Sequence, residues 1–159
     1  MPRLSSLAHG FRRFLRLAGE RRSLLVEASV YLLLVRLTLM VVPFPKLARR
    51  IGGCMLPADS HAAQARQDSI LPGQSLVALE VGWAVTRAAN YIPFKVSCLP
   101  QAMSARTMLE KRGIRSVLHF GTAATKESPL VAHVWLEAAG VEVTGYPVGD
   151  EITEIACFV

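Results

Sequence analysis

Ser97-Cys98-Leu99-Pro100-Gln101-Ala102-Met103-Ser104-Ala105-Arg106-Thr107-Met108-Leu109-Glu110-Lys111-Arg112-Gly113 is the stretch on which the fold turns. Pro100 suits the first turn of a helix, because its missing N–H would have no partner there and its ring already holds a helical φ. Cys98 therefore falls at the N-terminus of a helix that runs to about Arg112, with Met103, Met108 and Leu109 turned inward. Gly113, tolerant of a left-handed φ, closes it. The unpaired N–H groups and positive dipole end of a helix start favour an anion, so a thiol placed there is the more reactive for it.

Strand-like runs follow over residues 115–121, 130–137, 141–146 and 152–159, with Ala138-Ala139-Gly140 as a turn. A helix followed by an antiparallel sheet is an α+β pattern. Period-two alternation in the second run puts Val131, His133, Trp135 and Glu137 on one face and Leu130, Ala132, Val134 and Leu136 on the other. His133 is expected to point toward the helix packed on the sheet, with Trp135 as a neighbouring wall. Cys98 and His133 thus offer a thiol nucleophile and a base to activate it, although a lone Cys and a lone His also occur in many purely structural sheets.

Working toward the N-terminus, Ser75 is expected to cap a helix through about Asn90, with Leu76, Leu79, Trp83 and Val85 as its apolar contacts and Pro93 ending the connection. Before it, helix is expected over residues 4–18, 23–42 and 45–52, then an irregular stretch over 53–73 punctuated by Pro57 and Pro72. The run from Leu24 to Phe44 is close to the ~20 residues that span a bilayer, but Glu27 and Arg36 interrupt it. A charge near the centre of a membrane helix costs at least about 2.5 kcal/mol. Arg36 therefore argues for a buried helix whose arginine finds a partner or snorkels to a polar edge, with insertion as the alternative. Pro43-Phe44-Pro45, Lys46, Arg49 and Arg50 follow the run in place of a small-residue cleavage site, so it does not read as a signal peptide.

The net charge of +6 is unevenly placed: residues 1–50 carry ten Lys/Arg against two acids, and residues 51–159 eight against ten. Arg3, Arg12, Arg13, Arg16, Arg21 and Arg22 stand among Leu4, Leu7, Phe11, Phe14, Leu15 and Leu17 at roughly helical spacing. Such an amphipathic segment suits an anionic surface, a partner protein or a solvated structural role; no recognition motif or aromatic platform for nucleic acid accompanies it. The chain divides into a basic N-terminal helix over 1–22, an apolar helical region and linker over 23–73, and a core over 74–159. Cysteines 54, 98 and 157 form neither a disulfide framework nor a zinc spacing, and fit a reducing cytoplasm with Cys54 and Cys157 as buried apolar residues. His9, His61 and His119 are scattered, so no metal site is expected.

The blocks Ser97-Cys98-Leu99-Pro100-Gln101-Ala102, Ala105-Arg106, Met108-Leu109, Arg112-Gly113-Ile114 and Ala132-His133-Val134-Trp135-Leu136-Glu137 closely resemble the transglutaminase-like cysteine peptidases of lasso-peptide biosynthesis. These are bacterial leader-removing B proteins, here in the split form that holds the peptidase half alone. Leu33–Leu37 and residues 43–52 also look like the family's apolar helix and basic exit, and the resemblance spans about residues 20–158. It implies hydrolysis of a peptide bond between leader and core of a ribosomally made precursor. Cys98 would be the nucleophile, and His133 would take its proton and later return one to the leaving amine. Backbone N–H groups at the helix start would hold the oxyanion, each good donor being worth about 2.7–4 kcal/mol, with Gln101 as an amide near the site and Trp135 beside His133.

Many members carry an aspartate on the strand after the histidine, to orient the imidazole. If the hairpin closes through Ala138-Ala139-Gly140, Glu137 faces Val141 and His133 faces Gly145, so that position is glycine here. Three substitutes remain open: Asp150 reaching back from the following loop, which is the first candidate; a backbone carbonyl or water; or no orienter. Glu137 lies four residues from His133, about 13 Å along an extended strand and too far for a direct bond, and is expected at the strand's solvent end.

The resemblance further implies partners: the precursor peptide, a separate leader-recognition protein, since the split form lacks the module that grips the leader, and an ATP-dependent, asparagine-synthetase-like cyclase. No cofactor would bind this chain directly, and any ATP dependence would come through the cyclase. The basic N-terminal helix or the apolar surface from Leu24 to Val42 would meet the partner, or a membrane surface peripherally. Two other readings stay open at this point: a catalytically silent scaffold, and a membrane-anchored protein of unrelated activity.

Overall fold

The apolar run that begins at Leu24 falls within the first of three helices in the described part of the chain, which in this computed structural model comprises residues 19–42, 46, 54–55, 70–92, 96–123 and 131–159. They are α1 (Gly19–Val41), α2 (Gln74–Tyr91) and α3 (Cys98–Glu110). Five strands follow and interleave: β1 (Cys54–Met55), β2 (Ser116–Ala123), β3 (Val131–Ala138), β4 (Val141–Thr144) and β5 (Thr153–Phe158). The sheet order is β1-β5-β2-β3-β4 and every adjacent pair is antiparallel, an α+β architecture. The helix expected over 4–18, that over 45–52 apart from residue 46, and most of the linker over 53–73 lie outside the described residues. Within that linker Cys54 and Met55 pair with Phe158 and Cys157, so part of the stretch expected to be irregular is an edge strand.

Alternation decides which side of the sheet meets the helices. Leu118, Val134, Leu136 and Ala138 join Ala102, Ala105, Met108 and Leu109 of α3 in one buried apolar cluster. The hydrophobic effect selects this face, because the opposite face of β3 carries a His, a Trp and a Glu whose polar atoms need partners. Met103, expected to turn inward, is only half-buried. At the end of α3, Gly113 takes φ +69° and the Ile114 N–H donates to the Leu109 carbonyl at 3.0 Å, so the chain reverses directly into β2.

Helix α2 packs through small residues. Ala78, Val81, Ala84, Val85 and Ala88 are buried, whereas Leu76 and Leu79 are 69% and 47% exposed, contrary to expectation. The reason is close approach: a Cβ on Gly82 would lie 2.3 Å from the Val143 carbonyl oxygen, so the helix rests on the backbone of β4. Ser75 is not the cap. Gly73, at φ +90°, precedes the helix, and the Ser75 hydroxyl instead donates to the Ala139 carbonyl at 2.8 Å, tying α2 to the β3–β4 turn.

Helix α1 turns Leu25, Ala28 and Leu32 into the core. Glu27, which interrupts the apolar run, is paired: the Arg112 guanidinium donates to its two oxygens at 2.6 and 3.2 Å and to the Met108 carbonyl at 2.7 Å. That hydrogen bond holds the Glu27 carboxyl below its ordinary range, against the opposing effect of burial. The outward face keeps Val26, Val30, Leu33, Leu34, Leu37 and Met40 exposed. Among the described residues α1 alone is long and apolar enough to cross a membrane by length and composition.

Candidate active site

Cys98 is the first residue of α3 and half-buried. Ser97 before it is extended (φ −75°, ψ 175°) and makes no side-chain cap, and Pro100, in the first turn, has no N–H to give. The Cys98 and Leu99 N–H groups are therefore the donors that the helix start directs outward. Gln101, three residues past Cys98, donates from Nε2 to the Val96 carbonyl at 3.2 Å. Its amide braces the segment leading into Cys98.

Helix α3 leads through a short turn into β2, so its two ends match the two ends of the sheet. Its C-terminus lies by the start of β2 and the β3–β4 turn; its N-terminus lies toward the end of β2, the start of β3 and the end of β4. That topology directs the Cys98 end of α3 toward the end of the sheet where β3 begins, with Cys98 on the helix-side core and His133 on the opposite face of the sheet. A pocket lined by Leu71, Gln74, Gly113, Ile114 and Ala139 opens at the other end and includes neither residue.

His133 differs from expectation in its orientation. Gly121 and His133 pair across β2 and β3, as do His119 and Trp135, which puts the two histidines and the tryptophan on one face. That face is turned away from the residues that pack on α3. Cys98 and His133 make no hydrogen bond to one another in this structure. Trp135, 8% exposed, is stacked with His133 at a centroid separation of 6.0 Å and an interplanar angle of 20°.

The position expected to hold an acid is filled by backbone. Ala139 (φ 50°) and Gly140 (φ 73°) make a two-residue turn, so Ala138 pairs with Val141 and Glu137 with Glu142. An irregularity between Leu136 and Glu137 then shifts the register so that Leu136 meets Thr144, and the ladder stops there. The expected pairings of Glu137 with Val141 and of His133 with Gly145 are both corrected by these shifts. Gly145, at φ +86°, folds across β3, where a Cβ would lie 2.5 Å from the Val134 carbonyl oxygen and 2.8 Å from the Trp135 Cα. Its own carbonyl oxygen is 2.6 Å from His133 Nε2. A carbonyl only accepts, so Nε2 carries the proton and the neutral ring keeps a lone pair on Nδ1, the tautomer a general base requires.

Asp150 is exposed in the turn before β5 and makes no hydrogen bond to His133. Of the three substitutes left open by the sequence, the carbonyl is the group in contact with the ring. Glu137 is not at a purely solvent position either: its Oε1 accepts from the Tyr146 hydroxyl at 2.5 Å. His119, set aside as scattered, is 3% exposed, stacks on Trp135 at 5.3 Å and places Nδ1 2.7 Å from Glu154 Oε1. Its position on the Trp135 face depends on β2–β3 register, which no local pattern reveals. No group of His, Cys, Asp and Glu among the described residues is arranged to hold a metal ion.

Compared with known protein families, the chain matches the transglutaminase-like superfamily over residues 38–157. No curated protein and no solved structure shows significant similarity to it.

Proposed function

Starting from a chain that belongs to the transglutaminase-like superfamily, and so has a cysteine-peptidase-like fold, we propose that it is a cysteine peptidase that removes the leader from a ribosomally made lasso-peptide precursor. The observation that carries the reading is His133 held by the Gly145 carbonyl in the Nε2–H tautomer, in a chain whose Cys98 begins a helix. Cys98 Sγ attacks the scissile carbonyl while His133 Nδ1 takes the thiol proton. The imidazolium returns that proton to the leaving amine, which departs with the core, and a water activated by the same nitrogen releases the leader from the acyl-enzyme. The Cys98 and Leu99 N–H groups stabilise the oxyanion. His133 lies on the sheet face turned away from the core on which Cys98 packs, so in this reading substrate binding must shift the Cys98 segment or the start of β3 to bring the thiol and the imidazole together.

The precursor, a separate leader-recognition protein and the ring-closing ATP-dependent cyclase are the partners of this reading, in a cytoplasmic setting. The exposed apolar face of α1 is the surface offered to the recognition protein. The decisive experiment is a leader-cleavage assay with precursor and recognition protein present. The unmodified chain is expected to release the leader, and Cys98→Ala or His133→Ala to lower the rate by at least about a hundredfold. If the unmodified chain and both variants leave the precursor equally intact, the peptidase reading fails. That outcome would favour a silent scaffold, a reading to which the unformed Cys98–His133 bond and the glycine at position 145 already lend weight.

A further inference from the structure

The sheet face that carries His133 holds a second set of side chains that peptide-bond chemistry does not use. Trp135 lies between two imidazoles, stacked with His133 on one side and with His119 on the other, the latter at an interplanar angle of 5°. Buried His119 meets Glu154 through Nδ1, and its Nε2, with no hydrogen-bond partner among the described residues, lies 3.9 Å from Glu137 Oε2. The other Glu137 oxygen accepts the Tyr146 hydroxyl. Tyr146 directly follows Gly145, whose carbonyl accepts His133 Nε2–H. The path therefore closes on itself: stacking leads from His133 through Trp135 to His119, and polar contacts lead back through Glu137, Tyr146 and Gly145.

We propose that Tyr146 and Glu137 are positioning residues for His133: their hydrogen bond pins the chain one residue beyond Gly145 to strand β3 and so fixes the carbonyl that orients the imidazole. The ladder ends at Thr144, so no β4 pairing holds this carbonyl. A glycine peptide left to itself rotates easily, and an oriented carbonyl needs an anchor close by. Tyr146 supplies it because its phenol stays a donor: burial first, and then the Glu137 carboxylate, push its pKa far above the ordinary range. On the far side of Trp135, the Glu154–His119 pair holds the ring that backs the indole. Glu142 also bears on Tyr146 electrostatically, and Glu154 is the other carboxylate that faces His119.

The catalytic meaning of this latch rests on the reading of His133 as the base, but the latch is measurable without catalysis. In full-length protein labelled with ¹⁵N-histidine, an imidazole N–H held in a hydrogen bond exchanges slowly with water and gives a one-bond ¹H–¹⁵N signal, assigned to His133 by its loss in His133→Gln. The signal is expected in the unmodified protein and in Glu137→Gln, which keeps an acceptor oxygen for Tyr146. Exchange is expected to quicken about tenfold in Tyr146→Phe and Glu137→Ala, as befits the loss of one anchoring hydrogen bond, with thermal unfolding of Tyr146→Phe little changed. Exchange at the unmodified rate in both of those variants would overturn the proposal, as would equal loss in Glu137→Gln and Glu137→Ala. A chain that shows the expected pattern yet cleaves no precursor keeps the latch and loses the peptidase reading; one that cleaves without the pattern does the reverse.

Discussion

Gly145 stands where the resemblance leads one to expect an acid, and its backbone explains why none is there. At φ +86°, with β3 backbone 2.5 Å from a would-be Cβ, no side chain fits. The same conformation aims the carbonyl at His133, so one residue both excludes the acid and substitutes for its orienting half. It does not substitute for the charge: a carbonyl fixes the tautomer but is neutral, whereas a carboxylate also stabilises the imidazolium. Gly145→Asp is accordingly expected to lower stability by about 1–3 kcal/mol through backbone strain, read as a fall in melting temperature, and to lower cleavage rather than restore a triad. Increased cleavage by this variant would show that the segment re-forms around the acid. Asp150→Ala, at an exposed turn position, is expected to leave the cleavage rate within about twofold of the unmodified protein.

Among the elements, α2 lies directly against β4 at Gly82. Helix propensity alone favours alanine over glycine by about 1 kcal/mol, but Gly82→Ala would drive a methyl group into the Val143 carbonyl. Overpacking of that kind costs about 1–3 kcal/mol, so the variant is expected to melt lower than the unmodified chain, and a higher melting temperature would refute the close contact. Helix α1 is fastened by Glu27–Arg112, which carries a definite pH signature. A carboxylate whose folded pKa is depressed adds stability that is fully present above its ordinary value, 4.5 here, and is lost as pH falls through the folded value. Melting temperature measured against pH is therefore expected to drop below that point in the unmodified protein. Glu27→Gln should start lower at neutral pH and fall less steeply on the acid side.

For the whole molecule the informative contrast is between the two ends of the chain. Helix α1 leaves seven large apolar residues exposed and follows a segment rich in arginine, whereas α2, α3 and the sheet expose fewer, among them Leu76 and Leu79. Deletion of residues 1–22 combined with Leu33→Glu and Leu37→Glu is expected to abolish capture of the leader-recognition protein in a pull-down without altering the fold seen by circular dichroism. Unchanged capture, with the chain recovered in the membrane fraction only when these leucines are intact, would instead assign the face to a bilayer.

Features of this protein that depend on neighbours along the chain are legible in its residues. Pro100 and Gly113 bracketed the helix that Cys98 begins, and period-two alternation separated Val134 and Leu136 from His133, Trp135 and Glu137, because helix φ, missing donors and the pleat are local properties. Long-range packing settled which of those two faces turns to the helices. It also decided that Ser75 ties down a distant turn, that Glu27 meets Arg112, and that His119 stacks on Trp135. The third partner of His133 shows why: a two-residue turn and one register shift moved Gly145 from a place in the ladder to a place across the strand. Such shifts are settled by the long-range burial of one apolar face against α3, a balance that no stretch of sequence carries within itself.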